Sequence, residues 1–345
     1  MSAPVISVIM PVYNCSNYVY DAVKSILDQT FTDFELLIFD DASTDDTVKV
    51  IASFSDPRIR IIKKEKNSGY TDSLNAGIEM ASGKYIARMD GDDISETTRF
   101  AKQVAFMDTH PDVLVCGTWF TIMNTDYIVK HPVTSEAIRT GFMDYCVIGH
   151  PCAIIRRDVF MANNYRYNPA MEPAEDYDLW TRLIGDREFA NLPESLLQYR
   201  MHSNQISSQK SKTQRVNTER SQLRMLHYLI PEASEDEQSK HLSLIYGNNV
   251  KTVSRLKEVM AWADIVSSEN QSRKFYNQSL LDALLLEKKK CLVRNFFLKK
   301  PQQTPATIVD LFKMRYHAEQ VLSKSELMKL LIKSAIFWKS KSHAG

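Results

Sequence analysis

The segment KYIARMDGDDI (84–94) sets three carboxylates, Asp90, Asp92 and Asp93, at the end of the apolar run Tyr85–Met89. Like charges packed so closely raise one another's pKa values unless a cation sits among them. The segment therefore reads either as a divalent-ion site or as a solvated acidic turn. A second acidic group, Glu175, Asp176 and Asp178, lies in PAEDYDLWTRLIG (173–185). A carboxylate there is able to take a proton from an attacking hydroxyl, although the first turn of any helix favours acids through its dipole. A third pair, Asp40 and Asp41, closes FELLIFDD (34–41).

These acids need a frame, and the first hundred residues supply one. ISVIMPVY (6–13), FELLIFDD (34–41), IRIIKK (59–64) and KYIARMD (84–90) are short β-branched or aromatic runs that predict strands. Helical periodicity falls between them at 19–29, 44–54 and 71–81, and again at 96–111, with Pro111 after its end. Such alternation predicts an α/β fold with a parallel sheet covered on both faces. Ligands of these sheets bind outside the carboxyl ends of the strands, where Asn14, Asp40, Asp41 and Asp90–Asp93 all fall. A strand is expected at 152–157 and a helix at 173–185, with Pro173 in its first turn and Gly185 at its exit. Beyond 211 the chain reads as helical and basic.

Composition excludes several classes. The 345 residues allow about two domains. Lys+Arg 43 against Asp+Glu 42 gives a net charge of +1, so no global charge draws nucleic acid. Five cysteines without C-x-x-C spacing argue for a reducing compartment and against a thiolate zinc site. The N-terminus lacks the basic flank of a signal peptide, and no run of 18 apolar residues occurs. A cytoplasmic protein is expected.

Nucleotide binding is the usual work of such a sheet, yet neither G-x-x-x-x-G-K-[ST] nor G-x-G-x-x-G after the first strand is present. Carboxylates holding Mg²⁺ or Mn²⁺ are the other route to a diphosphate. The residues themselves therefore suggest a metal-bridged nucleotide.

PVYN (11–14), DDASTDDT (40–47), NSGYTDSLNAG (67–77), DGDD (90–93), PAEDYDLW (173–180) and YRMHSNQIS (199–207) occur in that order. Together they resemble the successive motifs of family 2 glycosyltransferases, inverting enzymes of the GT-A (Rossmann-like) fold that use nucleotide-diphosphate sugars. Residues 67–94 with AEDYDLW and YRMHSNQISS are particularly similar to bacterial lipooligosaccharide β-1,3-N-acetylglucosaminyltransferases. The resemblance covers residues 5 to about 210. It implies a GT-A catalytic domain over 1–210; the helical, basic pattern of the chain itself predicts a C-terminal helical region over 211–345, for which association with a membrane or a partner is one reading.

The resemblance also implies roles. Asp92 would contact a Mn²⁺ or Mg²⁺ ion directly, Asp90 would lie near ribose and metal, and Asp93 would support the turn. Asp41 would accept from the uracil N3–H, although an N-cap for a helix starting near Thr44 is the plainer reading. Pro11 and Tyr13 would line the base, while Asn67, Gly69 and Asn75 would shape the uridine pocket; strand-end packing and a simple turn are the rivals. Asp176 would be the catalytic base, with Glu175 beside it. Arg200 and His202 would face the leaving diphosphate, His202 as a metal ligand, and His150 would lie near the acceptor. Leu179, Trp180 and Leu183 are expected to pack their helix, and Gln205 and Ser207 receive no chemistry.

The implied reaction moves a sugar, best GlcNAc, from a UDP-sugar donor to a glycan or lipid-linked oligosaccharide acceptor of a bacterial surface polymer. Glucosyl or galactosyl transfer is the alternative within the class. Nucleotidyl transfer and a non-catalytic glycan-binding scaffold are the alternatives outside it. The helix at 324–342 sets Leu327, Leu330, Leu331, Ile336, Phe337 and Trp338 among Lys324, Lys329, Lys333, Lys339 and Lys341. That pattern suits either the inner face of the bacterial inner membrane or packing on protein. An oligomer stays open.

Overall fold

A computed structural model describes residues 3–202, 205, 210–299 and 305–335. The expectations on Ser207, Ile336, Phe337, Trp338, Lys339 and Lys341 lie outside the described residues.

The strand β1 (Ile6–Val12) is apolar at nearly every position and buried throughout. Such continuous burial is what a central strand of a sheet covered on both faces requires. It pairs in parallel with β2 (Phe34–Asp40) and β4 (Tyr85–Arg88), and β2 pairs in parallel with β3 (Ile59–Lys63). The register sets Val12 opposite Asp40, Asp40 opposite Lys63, and Ile9 opposite Arg88. Parallel strands in step deliver their carboxyl ends to one rim, and this register places Asn14, Asp41, Lys64 and Asp90 just beyond it.

The helices α1 (Val19–Leu27), α3 (Tyr70–Met80) and α4 (Arg99–Thr109) pack on the sheet. Val19, Ala22, Val23 and Ile26 of α1 are buried in one cluster with Ile6, Val8, Met10 and Leu36. Each fully buried aliphatic side chain contributes about 1.5–3 kcal/mol. Helix α3 lies so close to β1 that a Cβ on Gly77 would stand 2.6 Å from Ile9 Cγ2. The helix expected at 44–54 shortens to α2 (Thr47–Ile51), because Asp45 takes both the amide and the hydroxyl of Thr47 and holds 44–46 in a turn.

The second half of the sheet departs from the parallel expectation. Its order is β3-β2-β1-β4-β8-β6-β9-β5, with β7 (Ile128–Val129) pairing β6. The strand β8 (Ile154–Arg156) lies antiparallel to β4 and to β6 (Val113–Ile122). β6 runs parallel to β9 (Glu188–Tyr199), and β5 (Ile94–Ser95) pairs antiparallel with the end of β9. The register of β9 jumps from Leu192 to Ser195 between Thr118 and Trp119, which bulges out Pro193 and Glu194. A proline has no amide for the ladder, so the strand is interrupted there. Beyond β6 and β8 come α5 (Ser135–Gly141), α6 (Arg157–Ala162) and α7 (Glu175–Leu183).

The chain divides into two compact units, Met1–Ser221 and Gln222–Gly345, and the division falls inside the helix Ser211–His227. The second unit is helical. Its helices Glu235–Tyr246, Val253–Arg273 and Gln278–Leu298 start from Ser234, Thr252 and Asn277, each capping a backbone amide. Leu256, Val259, Trp262, Leu281, Leu292 and Phe297 are among its buried residues. Among the described residues no helix is long and apolar enough to cross a membrane.

Candidate active site

The carboxylates of Asp90, Asp92 and Asp93 each present an oxygen, and these oxygens lie within 4.8 Å of one another. Burial and the neighbouring Asp92 push the Asp90 carboxyl up, against the pull of Arg88. Asp93, fully buried, is held well above the usual carboxylate range by burial and by its two acidic neighbours. One oxygen of Asp93 accepts from the Arg200 amide at 2.9 Å, whereas the other is buried without a hydrogen-bond partner among the described residues. Three hard oxygen donors, one of them orphaned, fit a Mg²⁺- or Mn²⁺-type ion.

The end of β9 braces this turn. Arg200 Nε donates to the Asp92 carbonyl at 2.8 Å, and its guanidinium lies 4.8 Å from the centre of the Tyr18 ring. His202 Nε2 pairs with Asp92 Oδ2 at 2.9 Å while its ring stacks on Tyr18. The His202 Nδ1 is buried without a partner among the described residues.

The acids of α7 form a second cluster. Pro173 precedes the N-cap Ala174 instead of entering the first turn, and Glu175 opens the helix. Glu175 accepts from the Tyr70 hydroxyl at 2.6 Å and faces His150 Nδ1 at 3.4 Å. Burial and the adjacent Asp176 push its carboxyl to about 8. Asp176 accepts from the Tyr177 amide at 2.7 Å and meets the Cys146 thiol at 3.8 Å. Burial raises it to about 6, with the Tyr177 amide and the Arg88 charge pulling it down. Both carboxyls of this adjacent pair thus hold a proton more readily than ordinary carboxylates. His150 pairs with the Tyr167 hydroxyl at 3.0 Å, and burial and Arg88 hold its imidazole neutral. Leu179, Trp180 and Leu183 are buried as packing residues.

Arg88, buried at the end of β4, joins the two clusters. It forms an ion pair with Asp90, and its charge acts on Glu175, Asp176, His150 and Tyr167. Its Nε has no hydrogen-bond partner among the described residues.

Asp41 caps no helix. Its two oxygens accept from the amides of Ser68 and Gly69 at 3.0 and 2.9 Å, and Lys64 Nζ lies 3.1 Å away. Each carboxylate oxygen keeps a second lone pair. Asn67 also accepts from the Gly69 amide. Gly69 has φ of +92°, and a Cβ there would approach Glu172 Oε2 at 3.1 Å; this sharp entry to α3 aims Tyr70 at Glu175. Asn75 both donates to and accepts from the backbone of Tyr167, which makes it a brace between α3 and the loop before α7. Pro11 is buried in β1, and Tyr13 beyond it is half exposed.

Direct contacts gather the expected residues into three groups: Asp41 with the amides of Ser68 and Gly69, the Asp92 and Asp93 turn with Arg200 and His202, and Glu175 with His150 beside Asp176. The sequence reading passed over Arg88, Tyr70, Cys146, Lys64 and Glu172. Arg88 carried a signal: a cation two residues before an acidic cluster in an otherwise apolar strand.

The sequence profile described as "Glycosyl transferase family 2" matches residues 7–163. An uncharacterised glycosyltransferase of Haemophilus influenzae is 33% identical over 221 residues, covering 60% of this chain and 68% of its own. The UDP-Glc:alpha-D-GlcNAc-diphosphoundecaprenol beta-1,3-glucosyltransferase WfaP of Escherichia coli is 31% identical over 212 residues, covering 60% and 81%. Among solved structures, S. aureus TarS 1–349 in complex with UDP-GlcNAc superposes with a TM-score of 0.58 at 16% identity, covering 84% of this chain and 90% of that one. The fold is GT-A, with helices following the sheet domain. The chain belongs to glycosyltransferase family 2 and is a transferase.

Proposed function

We propose that the protein transfers a sugar from a UDP-sugar to a hydroxyl of a lipid-linked or growing bacterial surface glycan, with inversion to a β-linkage. The observation that carries this reading is the pair of acidic groups, three carboxyl oxygens within 4.8 Å of one another at Asp90–Asp93 and Glu175 with Asp176 opening α7, with the Arg88 bridge as support: it pairs with Asp90, and its charge favours the ionised form of Asp176. In the proposed step the acceptor hydroxyl oxygen attacks the anomeric carbon from the face opposite the diphosphate. The C–O bond to the diphosphate breaks with its electron pair, and Asp176 takes the hydroxyl proton. Its neighbour Glu175 accepts from the Tyr70 hydroxyl, and burial with the adjacent Asp176 favours its protonated form.

Asp92, with Asp90 or Asp93 and His202, would hold a divalent ion. When bound, such an ion neutralises charge on the departing diphosphate. Asp41, Pro11, Tyr13, Asn67 and Gly69 are assigned to the uridine, with Asn75 supporting their wall. Transfer of GlcNAc is the first assignment for the donor. Glucose is the second, favoured by the 31% identity to WfaP, a UDP-Glc-using enzyme of undecaprenol-linked acceptors. A lipid-linked acceptor brings the enzyme to the inner face of the membrane, and Phe312, Tyr316, Met328 and Ile332 are exposed apolar side chains suited to that surface.

The test is UDP release from a panel of UDP-sugars with Mn²⁺ or Mg²⁺. Turnover of one or two donors, abolished by chelator and restored by metal, is expected. Undiminished turnover in the presence of chelator would end the metal assignment, and turnover of GDP-sugars alone would end the uridine assignment.

A further inference from the structure

Cys146 meets Asp176 from another part of the chain, and the reaction above gives it no task. Its sulfur lies 3.8 Å from Asp176 Oδ2 and 3.4 Å from the Ile148 carbonyl oxygen. A thiol has one proton, so it donates to one of these oxygens at a time. Burial and the Asp176 charge hold the thiol well above its usual range, which keeps that proton on sulfur at neutral pH.

The segment that carries the thiol is clamped on both sides. The Tyr177 hydroxyl, on the residue after the base, donates to the Phe142 carbonyl. Asn191 Nδ2 of β9 donates to the Val147 carbonyl at 3.0 Å and to the Pro132 carbonyl at 2.7 Å. Phe142, Val147 and Ile148 are buried. The two oxygens of the base are served unequally. Oδ1 accepts from the Tyr177 amide at 2.7 Å, whereas the donor facing Oδ2 is the weak thiol at longer range. A strong donor at Oδ2 would favour the ionised form and blunt the base; a thiol orients the oxygen and leaves it basic.

We propose that Cys146 is a positioning residue for the base: its thiol donates to Asp176 Oδ2 while that carboxylate is ionised, and turns to the Ile148 carbonyl once Oδ2 holds the acceptor's proton. The thiol proton stays on sulfur throughout and only the S–H bond rotates, so no strong hydrogen bond is broken as the base takes its proton. This assignment rests on Asp176 as the base. The other groups that act on Asp176 or feel its charge are Arg88 from β4, Glu175 beside it, Tyr70 from α3 and Tyr167 from the loop before α7. All four stay in place in the test.

The S–H stretching band of the full chain, isolated by subtracting the infrared spectrum of Cys146→Ala, reports the thiol's acceptor. It should move to higher wavenumber as the pH falls through the titration of Asp176, because a carbonyl is a weaker acceptor than a carboxylate. Asp176→Asn should abolish that response. Cys146→Val, which keeps the bulk and lacks the donor, should move the acidic limb of kcat/KM up by about half a pH unit, the equivalent of one weak hydrogen bond. A band independent of pH, the same response in Asp176→Asn, or an unmoved limb in Cys146→Val overturns the proposal. Turnover of Asp176→Asn reports separately on the base reading, since activity retained there would leave the band result standing on its own.

Discussion

Replacing Asp176 by Asn separates catalysis from stability more sharply than any other change in the site. The asparagine oxygen can keep the hydrogen bond from the Tyr177 amide, and the amide nitrogen faces the Cys146 sulfur, a weak acceptor. Fold and donor binding should therefore survive. Loss of a general base lowers turnover 10²–10⁴-fold, which is about 3–5 kcal/mol in the barrier. Stability should move the other way. The wild-type carboxyl ionises near 6 in the folded chain and near 3.9 when unfolded, a difference of about 3 kcal/mol. Because the folded value is the higher one, this burden is absent below about pH 4 and complete above pH 6 to 7. Asp176→Asn should then equal the wild type near pH 4 and exceed it by up to about 3 kcal/mol at pH 7.5. UDP release measured beside denaturant titrations at both pH values is the assay. A variant that keeps more than a tenth of wild-type turnover refutes the base assignment. One that loses stability at pH 7.5 refutes the account of the buried carboxylate.

Two further expectations follow from the same geometry. Wild-type kcat/KM should fall tenfold per pH unit below about 6 as Asp176 takes its proton, and Arg88→Met should move that limb to higher pH because the charge holding the carboxyl down is gone; a pH–rate profile with an unmoved limb excludes the bridge. Phe312→Asp combined with Met328→Asp, both at exposed positions, should reduce flotation with anionic liposomes while UDP release from the donor in solution stays within twofold; unchanged flotation excludes these side chains as the membrane contact.

The alternation of strands and helices up to residue 110 was legible because each element there carries its own periodicity. Ile6–Val12, Phe34–Asp40 and Tyr85–Arg88 are apolar runs, and an acid at the end of such a run marks the rim. The rest of the sheet was not legible in the same way. β6 contains Gly117, and β9 carries Pro193 and Glu194 in its middle, residues that locally argue against strands. Their pairing with each other across a bulge overrides that local preference. The parallel sheet expected from the first hundred residues is found there, and the later strands extend it as a mixed sheet.

Residue types and their order determined the family, the metal-type acids and the choice of Asp176, since these depend on chemical identity and spacing along the chain. Tertiary structure alone decided which partners set their charge. The Arg88 charge acts on Asp176, the Tyr70 hydroxyl at the start of α3 bonds Glu175, and the Cys146 thiol meets Asp176. Each of these contacts joins residues 30 to 105 positions apart, and burial, the main cause of the raised carboxyl values, exists only once the chain has closed around them.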